Sequence, residues 1–374
     1  MCPDRGADLP ARHLDEVAPR GAEPAAVGRY LAEALRDQRW RSCAVSVLSG
    51  GKSNLTYVVS SGAGEVVLRR PPLGNVLPTA HDMMREHRVI SALGSTDVPV
   101  PATLAFCTDE SVLGAPFYVM SKVDGIVARA TLPAGYADSP GQRRAIGDAL
   151  VDVLVRLHDV DPEAVGLGDF GRPEGFLARQ VRRWVTQWRA TDRAGLPESE
   201  WLAEELDRLA GDLASSVPKS RRATIVHGDY RLDNTVLDPD RPGGIRAVLD
   251  WEMSTLGDPL SDVGLLLTYW RDPRPDQPAG GDRSTLPDAM ATSLPGFPTR
   301  VEVAERYARL TGADLGALPW YVAFGCFKLA VILAGVAARH AAGVTLGGGF
   351  EGVADRVPPL VRRGRRALTD DVLT

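Results

Sequence analysis

The sequence predicts an α+β chain, with a small antiparallel sheet and one helix in its first third and a mainly helical remainder. Three observations carry that reading. Short apolar segments separated by turn residues recur at 44–48, 54–59, 65–69, 103–107 and 116–120, as the strands of a sheet do. From residue 140 onward, apolar residues recur instead at spacings of three and four, the helical period. Between the helical stretches, residues 225–250 read as strand, loop, strand and strand, and hold the densest group of chemically able side chains.

Composition bounds the classes. The chain has 374 residues, 44% hydrophobic and 24% charged, with a net charge of −5, ordinary for a globular protein with material for a sizeable core. That balance predicts neither a nucleic-acid nor a membrane partner. Cys2, Cys43, Cys107 and Cys326 are scattered without C-x-x-C or metal spacing, so a reduced, cytoplasmic setting is expected. The polar, Pro- and Arg-rich start has no apolar run, so no signal peptide is expected and residues 1–24 read as a loose leader. The one membrane-like stretch, Tyr321 to Ala338, carries Lys328 in its middle and reads better as a buried helix. Oligomeric state is not legible.

Val27, Tyr30, Leu31, Ala34 and Leu35 mark a first helix, and strands follow at Ala44–Leu48, Asn54–Val59 and Glu65–Arg69. The turn between the first two strands is Ser49-Gly50-Gly51-Lys52-Ser53. It is not a Walker A motif, which needs Gly at 46, where Ser stands, and a helix where a strand follows. A glycine turn between antiparallel strands instead suits close approach of backbone to phosphate. Thr79 and Asp82 read as a capping box opening a helix through Leu93, with Met83, Glu86, Ile90 and Leu93 on one face. A glutamate on an apolar stripe is costly unless paired. Arg69 is its natural partner; a partly exposed Glu86 at the stripe's edge is the plainer alternative. Strands at Thr103–Cys107 and Pro116–Met120 then lead to the polar turn Ser121-Lys122-Val123-Asp124-Gly125.

A helix from about 140 to 158 ends in His158, read as a structural cap. Gly166 to Gly171 spells G-x-G-x-x-G, but it follows a helix and no βαβ unit surrounds it, so the dinucleotide reading fails. In the next helix Val181, Trp184, Val185 and Trp188 form an apolar stripe while Arg182, Arg189 and Arg193 share another face. From Gly171 to Gly195 six arginines oppose only Glu174 and Asp192, a local charge of +4. This is either a solvated basic helix or the rim of a site for an anionic acceptor. Beyond residues 225–250, Gly257 to Asp262 open an apolar helix through Trp270, and residues 271–298 form a long Pro- and Gly-rich stretch, a candidate loop over a binding site. Helices at 299–310, 319–342 and 351–368 complete the chain.

The chemistry concentrates in His227-Gly228-Asp229-Tyr230-Arg231-Leu232-Asp233-Asn234 and in the later Asp250. Asp229 and Asn234 stand at the two ends of one tight loop, and a hairpin returns Asp250 beside them. An amide oxygen and a carboxylate are hard ligands suited to Mg²⁺, while a carboxylate left free accepts a hydroxyl proton. Asp and Asn at strand ends usually serve turns; the whole set, in this order, points to phosphoryl transfer. The spacing matches the kinase catalytic loop H-x-D-x-x-x-x-N, with Asp250 where the metal-binding Asp would fall.

In this wording, with Val248-Leu249-Asp250-Trp251-Glu252 and Gly257-Asp258-Pro259-Leu260-Ser261-Asp262 following, the chain resembles the aminoglycoside phosphotransferase family of small-molecule kinases. Within it, the likeness is to the branch whose domain is also fused to acyl-CoA dehydrogenases. The resemblance spans about residues 25–345 and implies a protein-kinase-like two-lobed fold: an N-lobe over 25–120, a hinge at 121–125 and a C-lobe over 126–374. It implies ATP and Mg²⁺ as cofactors and a hydroxylated small molecule as acceptor. Asp229 would be the catalytic base, and Asn234 and Asp250 the metal ligands. Gly50, Gly51, Ser53 and Asn54 would cover the nucleotide, Arg69 paired with Glu86 would grip its phosphates, and the backbone of Ser121 and Val123 would bond the adenine edge. Asp262 would brace the catalytic loop. Arg69 departs from the lysine that kinases place there, which keeps open a non-catalytic nucleotide-binding scaffold. A phosphoesterase lacks clustered histidines and a serine hydrolase lacks a G-x-S-x-G elbow. Among acceptors, the basic helix ranks a hydroxyacyl-CoA above a sugar or an antibiotic hydroxyl.

Overall fold

The computed structural model describes residues 20–48, 54–73, 82–129, 131–193, 195–273, 290–343 and 352–369. The chain divides into two compact units. One holds the chain up to Ser91 with Pro101–Lys122, and the other holds Ala92–Val100 and the chain from Val123 onward.

The first unit contains helix α1 (Pro24–Ala34), strands β1 (Cys43–Val47), β2 (Leu55–Ser61) and β3 (Gly64–Arg70), helix α2 (Met83–Leu93) but for its last two residues, strand β4 (Thr103–Cys107), the short helix α3 (Glu110–Leu113) and strand β5 (Phe117–Ser121). The strands form one antiparallel sheet in the order β1-β2-β3-β5-β4. Because side chains alternate across a strand, Tyr57, Val59, Val66, Leu68, Phe117 and Val119 share one face. There they are buried with Val27 and Leu31 of α1 and with Trp40. The next residue on that face, Arg70, donates to the Gly21 carbonyl at 2.5 Å and the Leu113 carbonyl at 2.7 Å. Arg69 is its neighbour in β3 and therefore takes the opposite face, where α2 brings Glu86.

Helix α2 starts later than the sequence suggests. Asp82 accepts the Arg85 N–H at 3.1 Å, so Asp82 is the cap itself and not the third residue of a capping box. Thr79 lies outside the described residues.

The second unit contains helices α4 (Pro140–Asp159), α5 (Phe176–Ala190) and α6 (Ser199–Ser215), then strands β6 (Thr224–Val226), β7 (Thr235–Leu237), β8 (Ile245–Val248) and β9 (Thr255–Gly257). Helices α7 (Leu260–Tyr269), α8 (Arg300–Thr311), α9 (Leu318–Ala341) and α10 (Val357–Thr369) follow. The strands pair antiparallel as β6 with β9 and β7 with β8. Helix α9 is long and apolar enough to cross a membrane, yet most of it is buried against α5, α6, α7 and α10. A close approach makes that packing: a Cβ on Gly264 of α7 would lie 2.5 Å from the Tyr321 backbone of α9.

Two details depart from the sequence reading, and a third bears it out. Helix α6 was not foreseen, although Leu202, Leu206, Leu209 and Leu213 bury one face of it. The last helix begins at Val357 and not near 351, because Pro358 and Pro359 are tolerated only in a first turn. Gly166–Gly171 is a run of turns after α4 that buries Leu167 and Phe170, so the G-x-G-x-x-G spelling has no nucleotide-binding frame. Residues 274–289 of the expected loop lie outside the described residues.

Candidate active site

In the first unit the β3 and α2 side chains meet as the sequence suggested. Arg69 Nε lies 3.1 Å from Glu86 Oε1, and Glu86 is only 2% exposed. A carboxylate so deeply buried needs a cationic partner. Arg70, spent on two carbonyls, is not the phosphate-facing candidate. Asn54 is buried at the start of β2. Ser121 closes β5, pairs with Val66, and exchanges hydrogen bonds with Ala102, while Val123 belongs to the second unit. Gly50, Gly51 and Ser53 lie outside the described residues.

In the second unit the loop between β6 and β7 carries Asp229 and Asn234, and β8 delivers Asp250. Asn234 Nδ2 donates to the Asp229 carbonyl at 2.8 Å and to Asp229 Oδ2 at 3.1 Å. Both partners are pure acceptors, which fixes the amide's orientation and turns Oδ1 the other way. The Leu249 N–H donates to the Asn234 carbonyl at 2.8 Å, tying the loop to the residue before Asp250. Asp250 itself has φ +67°, a conformation rare outside glycine that proteins keep where a side chain must be aimed. Arg231 Nε approaches Asp229 Oδ2 at 3.4 Å, and its guanidinium lies over the Tyr269 ring at 4.7 Å.

His227 links the two halves of the site. Its Nδ1 accepts the Asp229 N–H at 3.1 Å and its Nε2 lies 3.0 Å from the Leu249 carbonyl. A backbone N–H must donate and a carbonyl must accept, so the ring is neutral with its proton on Nε2. Burial pushes its pKa below the ordinary 6.5, against the pull of Asp262, Asp229 and Asp250. The ring packs against Trp251 and Tyr230. Gly228 is required here: its φ is +83°, and a Cβ would sit 2.5 Å from the Met253 carbonyl.

Beneath the loop lies Asp262, 1% exposed, at the start of α7. It accepts the His227 N–H at 2.7 Å and the Gly228 N–H at 2.8 Å, and His158 Nε2 lies 3.2 Å from the same carboxylate. His158 Nδ1 in turn meets the Tyr307 hydroxyl at 2.8 Å. Burial alone would raise the Asp262 pKa, but His158, the nearby His227 and the Gly228 N–H hold it below the usual carboxylate value. His158 is thus a structural support, as its place at a helix end suggested, with Asp262 as the carboxylate it serves.

The donor set suits a hard cation. Asn234 Oδ1 and the Asp250 carboxylate are oxygen donors, and no group of three or more His, Cys, Asp or Glu that could hold a metal ion occurs among the described residues. Mg²⁺ fits such a site, since it is commonly held by one or two protein oxygens and completes its shell with phosphate and water. Sequence reasoning used Lys328 only as a mark against a membrane span and gave it no partner; its Nζ donates to the Gly228 carbonyl at 2.5 Å. The signal was present, for a lysine amid the apolar run of α9 must find a partner.

A five-stranded antiparallel sheet with its helices, and a mainly helical unit, are the two parts of a kinase-like fold. The chain belongs to the phosphotransferase enzyme family (APH), whose signature matches residues 44–288. It is 38% identical over 298 residues to mouse acyl-CoA dehydrogenase family member 10 and 35% identical over 336 residues to rat acyl-CoA dehydrogenase family member 11. These matches cover 78% and 87% of this chain but only 26% and 41% of those relatives. Among solved structures, a Ralstonia eutropha JMP134 protein provisionally described as an aminoglycoside phosphotransferase aligns with a TM-score of 0.70 and 32% identity, covering 90% of this chain and 98% of its own. The GDP complex of aminoglycoside 2'-phosphotransferase-IIIa shares the fold at a TM-score of 0.58 and 14% identity, over 92% of this chain and 98% of that one.

Proposed function

We propose that this protein moves the γ-phosphate of ATP to a hydroxyl of a small, anionic molecule, with a hydroxyacyl-CoA as the best-supported class. The observation that carries the reading is the loop in which Asn234 is bonded to Asp229 and, through Leu249, to the approach to Asp250. Asp229 would orient the acceptor hydroxyl and take its proton as the new bond forms. Asn234 and Asp250 would hold Mg²⁺, which supplies neutralisation of phosphate charge. Arg69, steadied by Glu86, would bind the phosphates that stay behind. Little covalent help is needed, because phosphoryl transfer runs on positioning and electrostatics.

Two facts favour an anionic acceptor. Arg182, Arg183, Arg189 and Arg193 are exposed on and just after α5. That helix borders the catalytic loop through Trp184, whose ring lies 5.7 Å from the Lys328 ammonium. A polycationic aminoglycoside would meet repulsion there. The relatives named acyl-CoA dehydrogenase family members, of which this chain matches only a part, lend the same class a chemical context. The cysteine usage suits a cytoplasmic setting.

The test is Mg²⁺-dependent ADP release against a panel of hydroxyacyl-CoAs, sugars and aminoglycosides, with Asp229→Asn alongside. Stimulation by an acyl-CoA that vanishes in the variant is the expected result. Stimulation by an aminoglycoside alone would replace the acceptor assignment. ATP binding without turnover on any acceptor would favour a nucleotide-binding scaffold, with Arg69 in place of lysine as the first suspect.

A further inference from the structure

Lys328 sits midway along α9 between buried Phe327 and Leu329 and is itself only 8% exposed. An ammonium is costly to bury, and a methionine or leucine would fill this place in an apolar helix with less penalty. Burial lowers its pKa, while the carboxylates of Asp229 and Asp262 pull the other way and Arg183 adds to the lowering. Its surroundings show where the charge is directed. Nζ donates to the Gly228 carbonyl at 2.5 Å and lies 5.7 Å from the Trp184 ring centroid, within reach of a cation–π contact.

The peptide it grips is the one that enters Asp229. That peptide's N–H is held by His227 Nδ1 at 3.1 Å, its carbonyl by Lys328, and the preceding N–H by Asp262 at 2.8 Å. Gly228, with φ +83°, has no side chain to restrain rotation of that peptide. A device that fixes the carbonyl is therefore needed to fix the direction of Asp229.

We propose that Lys328 is a positioning residue for phosphoryl transfer, locking the Gly228–Asp229 peptide so that the Asp229 carboxylate faces the acceptor hydroxyl. The inference rests on the phosphotransfer reading above, and goes beyond it by assigning a role in the reaction to a helix far along the chain.

The test uses the full-length protein with Lys328→Met and Lys328→Arg, beside Asp229→Asn. Two readouts are taken: turnover on the best acceptor, and amide hydrogen exchange at Asp229 and Leu249, which needs no activity. Lys328→Met should lower kcat by about a hundredfold, the scale of an ångström-level misplacement, with KM for ATP changed by no more than about twofold. Its Asp229 amide should exchange faster while that of Leu249 does not. Lys328→Arg, which keeps a charged donor, should recover most of both; if the methionine variant does not fold, this recovery decides the matter. Turnover and Asp229 exchange in Lys328→Met that match the parent, while Asp229→Asn is dead, would overturn the role of Lys328 and leave the kinase reading standing. Full turnover in Asp229→Asn would overturn the kinase reading and this proposal with it.

Discussion

Two buried carboxylates, one in each unit, are held in different ways. Asp262 is gripped by two backbone N–H groups, from His227 and Gly228, and by the ring of His158, which Tyr307 backs. Glu86 meets the guanidinium of Arg69 at 3.1 Å, a long side chain with its own rotamers. Backbone donors cannot move without moving the loop, so Asp262 acts as a foundation. Arg69 is buried as well, so the Arg69–Glu86 pair fixes the direction of a cation by charge rather than by backbone. In the proposed reaction, the first would support the base Asp229 and the second would aim Arg69 at the nucleotide phosphates.

The sharpest break between support and chemistry is at Asp229. Asp229→Asn keeps an oxygen to accept from Asn234, so the loop should stay folded, but the proton acceptor is gone. Turnover should fall about a thousandfold, within the range general-base removal spans, with nucleotide affinity and the urea midpoint unchanged. Single-turnover kinetics and equilibrium unfolding measure the two. Asp262→Ala should do the reverse in kind. It strands two buried N–H groups, and removing one side of such a buried network costs about 3 kcal/mol or more, read as a lower urea midpoint. If Asp262→Ala unfolds no more readily than Asp229→Ala, the foundation role is wrong.

Glu86→Gln probes the other side of the comparison. The amide keeps the shape but not the charge, so Arg69 should lose its fixed direction. KM for ATP should rise about tenfold with kcat changed less, the pattern of lost binding that is common to ground and transition states. A kcat effect as large as that of Asp229→Asn would show that Arg69 acts on the transferred group itself.

The loop from His227 to Asn234 was legible because its chemistry demands several residue types at fixed spacing; the structure bonds Asn234 to Asp229 and, through the Leu249 N–H, ties the loop to the residue before Asp250. Arg69 and Glu86 were legible for a physical reason as well: strand alternation separates Arg69 from Arg70, and a glutamate on an apolar stripe needs a charge. Lys328 was not, because its partner is a backbone carbonyl 100 residues earlier, and a carbonyl carries no side-chain signature. The Asp262–His158–Tyr307 network was half legible. Its members lie on α7, α4 and α8, and only packing brings them together. Helix α6 was passed over although its leucines had the right period, since nothing chemical drew attention to it.

The smallest effect concerns pH, and it separates the two supports of the loop. His227 has a pKa pushed below the ordinary 6.5 by burial, so in the acid range the unfolded chain binds a proton that the folded chain resists. Where the unfolded state holds more protons, stability rises with pH. Stability should therefore fall as pH drops from about 6.5 toward the folded value, and be flat above it. Asp262 works in another window. Its carboxyl lies below the ordinary 3.8, so its contribution is present above that value and is lost only as pH falls further. His87, in the first unit, shares the direction of His227 through its own burial, so the slope near pH 6 belongs to both. Urea midpoints measured between pH 4.5 and 7.5, a range chosen to sit about the histidine value and above the carboxylate one, should show that slope. His227→Asn, which does not titrate, should reduce it, and His87→Asn should remove a separate part. A slope untouched by His227→Asn would mean that the ring is charged in the folded state. The neutral tautomer that joins Asp229 to the approach to Asp250 would then be wrong.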